Sequence, residues 1–177
     1  MIDSDYWARY YQVTVERPAW ETVRFAIARF AAEDATAGRL AVDLGCGAGR
    51  DTRELLRAGW HVLAIDREPA AIAALEVAVE PELLPRLQTM VADLGSVEIP
   101  DCDLVNASVS LPFLVGDTFW STWRRALAAL RVGGRIAAML YGATLSAYTP
   151  LGAIMAALAP DRKGAAMSIL NFGAGAS

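Results

Sequence analysis

Three glycines at alternate positions close the run Val42-Asp43-Leu44-Gly45-Cys46-Gly47-Ala48-Gly49-Arg50, where a short apolar stretch gives way to a helical pattern. Glycine at such a bend frees the backbone for tight-turn angles and lets a ligand approach with no Cβ in the way. A helix starting directly afterwards offers unpaired N–H groups and a partial positive charge, which suits a carboxylate or a phosphate. Cys46 belongs to this ligand-facing loop as a small residue that fits a tight turn, not as a nucleophile.

Acids follow at strand-sized intervals. Asp66 ends the next apolar stretch, 21 residues after Gly45, a distance and position that suit a carboxylate accepting from both hydroxyls of a ribose. Asp93 follows the third apolar stretch. If the three stretches are parallel strands, Asp43, Asp66 and Asp93 reach the same carboxyl edge, where open α/β sheets bind ligands. Singly, each aspartate also serves as a turn or cap residue; together with the glycine bend they point to one crevice. A dinucleotide fingerprint requires a third glycine three residues after the second. Arg50 holds that position and the spacing is GxGxG, which disfavours a pyrophosphate binder.

The elements that must position these residues alternate between strand and helix, the pattern of βαβ units. Trp20, Val23, Ile27 and Phe30 predict a helix after Pro18, and Leu40–Leu44 a buried strand. Arg50–Ala58 is predicted helical with Gly59 closing it, Trp60–Ile65 a second strand, and Pro69 the opening of a helix carrying Ile72, Leu75 and Val79. Leu87–Val91 and Leu104–Val109 read as the third and fourth strands. Trp120, Trp123, Leu127 and Leu130 form the core face of a further helix, with Asp117 or Thr118 as candidate caps and Gly133-Gly134 as its end. Arg135–Tyr141 is the fifth strand. No repeat or linker interrupts the 177 residues, so one domain is expected over 1–177, with an N-terminal segment 1–18 and an atypical C-terminal segment 142–177.

Hydrophobic residues make up 55% of the chain, charged residues 20%, and the net charge is −4. Basic residues are not clustered along the sequence, so no nucleic-acid partner is expected. Cys46 and Cys102 lack a CxxC or histidine at ligand spacing, which argues against a disulfide framework or a metal site and fits a reducing compartment. The start, MIDSDYWARYY, has no apolar signal region. Ile136–Ala159 carries no charge, but its glycines, threonines and Pro150 read as a buried strand and apolar helix rather than a membrane span. The expected location is the cytoplasm, with no membrane partner.

These motifs resemble the class I S-adenosylmethionine-dependent methyltransferases. VDLGCGAGRDT looks like their first motif, HVLAIDREPAAI like the second strand with its ribose-binding acid, VADL like the adenine-reading stretch, and ALRVGGRIAAM like the fifth strand and its turn. YWARYY and NASVSLPF are similar to small bacterial members, the tellurite-resistance type among them. The resemblance covers roughly residues 5 to 141. It implies an α/β, Rossmann-like, mostly parallel sheet with helices on both faces, and the C-terminal strands shortened or missing. It implies S-adenosyl-L-methionine as cofactor, S-adenosyl-L-homocysteine as product, and a small-molecule methyl acceptor.

Carried over by position, Asp43 would orient the methionine amino group and Gly45 and Gly47 would let the backbone pass close. Asp66 would hold the ribose with Arg67 beside the adenine. Asp93 would accept from the adenine amino group while Leu94 donates its N–H, and Asn106 and Ala107 would line the methionine end.

Methyl transfer from a sulfonium needs mainly alignment, so the absence of an evident base is no contradiction. His61 starts the second strand, at the far edge from the crevice. Ser108 and Ser110 lie near the expected methyl site. Tyr6, Trp7, Tyr10 and Tyr11 are either packing or a lid over the cofactor. After Tyr141 the chain reads as a helix near Leu151–Leu158 and a short strand within Met167–Phe172, too little for the family's last two strands. A partly unpaired fifth strand points to self-association as a homodimer. Two other readings stay open: a nucleotide- or NAD-linked oxidoreductase, and a non-catalytic module that keeps the cofactor fold.

Overall fold

The computed structural model describes residues 11, 14, 16–33, 38–139 and 168–169. Six strands form one sheet in the order β3-β2-β1-β4-β5-β6: β1 Leu40–Leu44, β2 His61–Asp66, β3 Leu87–Val91, β4 Cys102–Ala107, β5 Leu130–Ala138 and β6 Ser168–Ile169. Every pairing is parallel. The order reverses between β1 and β4, so the chain leaves these neighbouring strands in opposite directions and opens a crevice at their carboxyl ends. This is the Rossmann-like arrangement.

Among the described residues four helices cover the sheet: α1 Glu21–Ala31, α2 Arg50–Arg57, α3 Pro69–Ala78 and α4 Gly116–Ala128. Strand alternation sorts the core into two layers. Ala41, Val62, Ala64, Leu104 and Ala137 face α1, α2 and α3, meeting Val23, Phe30, Leu55, Leu56, Ile72 and Leu75. Val42, Leu44, Leu63, Ile65, Val105 and Ile136 face α4, against Phe119, Trp123, Ala126 and Leu127. Buried on both sides, β1, β2 and β4 read as nearly continuous apolar runs, whereas β3 at the edge of the sheet is largely exposed.

Several expectations are corrected. Pro18 lies outside α1, whose N-cap is Trp20. Asp117 and Thr118 fall within the first turn of α4, and the N-cap is Val115. Gly133-Gly134 do not end that helix. The chain passes from the cap Ala129 directly into β5, and residues 131–134 form an irregularity where Cys102 pairs with Leu130 but Leu104 with Arg135. Gly133 takes φ +81° there, and a Cβ on Gly134 would lie 2.9 Å from the carbonyl of Arg131, so the glycines serve a bulge. Trp123 is fully buried, as expected, but Trp120 is 38% exposed because it flanks the core-facing stripe of α4.

The expected strand within Met167–Phe172 is present as Ser168–Ile169, which pairs with Ala137 and Ala138 at the end of β5. The predicted helix at Leu151–Leu158, most of the uncharged run after Met139, and Tyr6, Trp7 and Tyr10 lie outside the described residues. Among the described residues no helix is long and apolar enough to cross a membrane.

Candidate functional site

A cavity of about 330 Å³ opens at the carboxyl ends of β1, β2 and β4. Asp43, Asp66 and Asp93 all line it, together with Gly45, Cys46, Gly47, Arg67 and Leu94. Eight of the ten residues expected at the site are thus brought to one space. Asn106 and Ala107 are not. Both are fully buried; Ala107 belongs to the core under α4, and Ser108, Val109 and Ser110 form the wall beyond them.

The glycine bend is fixed from two sides. The N–H groups of Gly45 and Cys46 both donate to the carbonyl of Ile65, 2.8 and 3.0 Å away, which hooks the bend over the end of β2. Gly45 has φ +75°, and a Cβ there would sit 2.4 Å from the Cβ of Ser110. Only glycine lets the loop after β4 close down on the bend. The third glycine serves a different contact. Gly49, at φ +82°, caps α2, and a Cβ on it would fall 2.0 Å from Leu75 of α3.

Asp66 is 8% exposed and its carboxylate is already oriented: the N–H of Gly47 donates to one oxygen at 2.8 Å and that of Glu68 to the other at 3.0 Å. Each oxygen keeps lone-pair capacity for a further donor. Asp93 accepts from the N–H of Gly95 at 2.7 Å. The loop carrying Asp93 and Leu94 is held from behind by Arg125 of α4, whose guanidinium donates to the carbonyls of Leu94 and Gly95 at 2.8 Å and of Val97 at 2.5 Å. The N–H of Leu94 has no acceptor among the described residues.

Asp43 is the most deeply set of the three acids. Its neighbour across the β1–β4 pairing is Asn106, whose amide donates to Asp43 at 2.9 Å and to Asp51 at 3.1 Å. Thr52 donates to the second oxygen of Asp43 at 2.6 Å. Asp51 in turn accepts from the N–H of Trp20 at 2.9 Å, which ties the cap of α1 to the first turn of α2. Ser108 extends the network, donating to Asn106 at 3.2 Å and sharing a hydrogen bond with Thr22 at 3.1 Å. Burial, first, and the neighbouring Asp51, second, raise the pKa of Asp43 to about 7.

Sequence reasoning missed Asp51, Thr52 and Trp20. Their signal is spacing: Asp51 and Thr52 occupy the first turn of the helix that follows the bend, where side chains point back toward the strand ends. Val109 was also missed. It stands at φ +63°, a left-handed conformation rare for a β-branched residue, and lines the cavity. Next to it, Ser110 is 9% exposed and its Oγ has no hydrogen-bond partner among the described residues. With Phe113 and Leu114 these residues make the uncharged side of a cavity whose other side is rich in carboxylates.

The two thiols and the histidine sit in surroundings that suit structural roles. Burial pushes the Cys46 thiol well above its ordinary pKa and that of Cys102 up to about 12, so neither is a thiolate near neutral pH. His61 is exposed at the start of β2, at the opposite edge of the sheet. Tyr11 lines the cavity, and its phenol is held protonated by burial and by the nearby Asp66.

Comparison with known proteins agrees with this geometry. Over 95 residues the chain is 33% identical to the magnesium-protoporphyrin O-methyltransferase of Rhodobacter capsulatus, a match covering 54% of this chain and 42% of that protein. A 64-residue stretch is 44% identical to part of the alpha-ketoglutarate permease of Bacillus subtilis, covering 36% of this chain; at 12% of the permease it carries no argument about activity. The chain thus spans less than half the length of either curated relative. Among solved structures, a TehB-like SAM-dependent methyltransferase from Corynebacterium glutamicum superposes with a TM-score of 0.56 at 26% identity, covering 76% of this chain and 72% of that one. The family model described as "Methyltransferase domain" matches residues 41–134, which hold the glycine bend, all three cavity aspartates and the strained loop after β4. The chain belongs to the methyltransferase-domain family.

Proposed function

We propose that this domain binds S-adenosylmethionine at the strand ends and transfers its methyl group to a small-molecule acceptor. The observation that carries the reading is the single cavity that gathers Asp43, Asp66 and Asp93 around a glycine bend too short for a pyrophosphate. The residues present suit such a ligand. Asp66, fixed by two backbone donors, has acceptor capacity left for two ribose hydroxyls. Leu94, whose N–H has no acceptor among the described residues, and the Asp93 carboxylate would face the adenine edge, with Arg67 alongside. Asp43 and Asp51 supply the negative charge that a methionine ammonium requires.

When bound, the cofactor supplies a methyl group already activated by a cationic sulfur. The protein's part is then to hold donor and acceptor in line, an effect worth roughly 7–11 kcal/mol of barrier. Trp20, Tyr11 and Phe113 line the same space and give it aromatic walls. Val109 and Ser110 shape the uncharged side, where an acceptor would lie.

Titration calorimetry with S-adenosylmethionine, S-adenosylhomocysteine and NAD tests binding. Dissociation constants below ~1 mM for both sulfur ligands and none for NAD are expected; failure of both to bind refutes the proposal. Turnover separates an enzyme from a binding module: S-adenosylhomocysteine should accumulate with at least one acceptor from a broad small-molecule panel.

A further inference from the structure

A second recess, of about 290 Å³, lies beside the first, between α2 and the segment leading into α1. Arg50, Arg53 and Arg57 follow one another at helical spacing on α2 and share one face of it. Arg17 and Arg24 line the recess from the other side, and among the described residues that line it only Glu16 and Glu54 carry negative charge. Arg57 is already paired with Glu80. The side chains of Arg17 and Arg24 make neither a hydrogen bond nor an ion pair among the described residues, and neither Glu16 nor Glu54 lies within ion-pairing distance of an arginine.

Such a cluster in a chain of net charge −4 is not an accident of overall basicity. The guanidinium groups of Arg17 and Arg24 line one concavity, and an anion inside it removes the repulsion between them. Their planar forks match the oxygens of phosphate and carboxylate, which they grip two at a time. Arg50 fixes where such an anion would sit. It lines both recesses, its Nε donates to the carbonyl of Pro18 at 2.5 Å, and its guanidinium carbon lies 4.2 Å over the ring of Trp20. The arginine recess therefore shares a wall with the strand-end cavity.

We propose that this recess is a binding site for a small, multiply charged oxyanion bearing phosphate or carboxylate groups, gripped by Arg17 and Arg24 opposite the arginine face of α2. Its concave shape suits a compact anion rather than an extended polymer.

The test is titration calorimetry of the full chain with pyrophosphate and, separately, with citrate, at constant ionic strength set with potassium chloride. Saturable binding of at least one probe below ~1 mM is expected. Binding of pyrophosphate alone identifies a phosphate site; binding of citrate alone or of both identifies a site that also reads carboxylates. The Arg17→Gln/Arg24→Gln double variant should weaken binding by about tenfold or more, because it removes two charge-assisted contacts. Both side chains are exposed, so its circular dichroism and melting temperature should match wild type. No saturable binding of either probe, or equal binding by the double variant, overturns the proposal. So does a single-stranded oligonucleotide that binds more tightly than either probe and displaces it. Neither probe is a sulfur nucleoside, so failure here leaves the methyl-transfer reading standing, and the reverse holds too.

Discussion

The backbone N–H of Gly47 donates to the carboxylate of Asp66 across 2.8 Å, joining the glycine bend to the end of the neighbouring strand. The two motifs are one unit. Asp66→Ala should therefore weaken S-adenosylmethionine by more than ~10-fold, since it strands ribose hydroxyls and releases the bend. Calorimetry checks this. Unchanged affinity would remove Asp66 from the site.

Asp43 gives a pH dependence with a definite sign. Its folded pKa, about 7, lies above the ordinary 3.8, so between these values the folded state holds the extra proton. Its contribution to stability is present in full below pH 3.8 and is lost as the pH rises through 7. Relative to Asp43→Asn, which keeps the shape, wild type should lose melting temperature across that window. A cationic ligand favours the ionised carboxylate, so its affinity should rise with pH up to about 7, by no more than ~10-fold per unit. Calorimetry in buffers of different ionisation enthalpy should detect the released proton. A flat difference between wild type and Asp43→Asn would refute the assignment.

Gly49→Ala separates packing from ligand contact. The new Cβ would be forced into a left-handed conformation and against Leu75, a side chain with no exposure. A loss of roughly 2–5 kcal/mol is expected from conformational and overpacking costs together. Chemical denaturation measures it. At saturating cofactor the folded fraction should retain its turnover, because Gly49 does not line the cavity.

Val109→Gly probes the strained loop. A partly buried valine replaced by glycine ordinarily destabilises a protein, but here relief of left-handed strain, about 1–2 kcal/mol, offsets the loss. The melting temperature should stay level or rise. Turnover should fall, since Ser108 and Ser110 lose the backbone geometry that places them at the cavity. A large drop in melting temperature would show that the strain is not what it appears from φ.

How far the sequence revealed this molecule depends on which force placed each residue. β1 and β3 match their expected bounds because the run in β1 stops at glycine and that in β3 starts just after Pro85. The three cavity aspartates were legible because strand ends in a parallel sheet share an edge. Gly133-Gly134 misled because a bulge in a strand and the end of a helix call for the same residue. Asn106 was placed in the wall by resemblance, yet lies behind it. Its cross-strand pairing with Asp43 depends on a register between β1 and β4 that no local pattern encodes. Asp51 escaped notice for a similar reason: its partners, Trp20 and Asn106, are 31 and 55 residues away.

The hydrogen bond from Trp20 to Asp51 ties the docking of α1 to an acid that lines the crevice. The amide that starts α1 hangs on a carboxylate sharing one asparagine with Asp43. A cation bound at Asp43 would compete with Asn106 for that carboxylate, and through Asp51 the change would reach the anchor of α1. The start of α1 is thus a natural reporter: filling the site should change the intrinsic tryptophan fluorescence, and Trp20→Phe should remove that change.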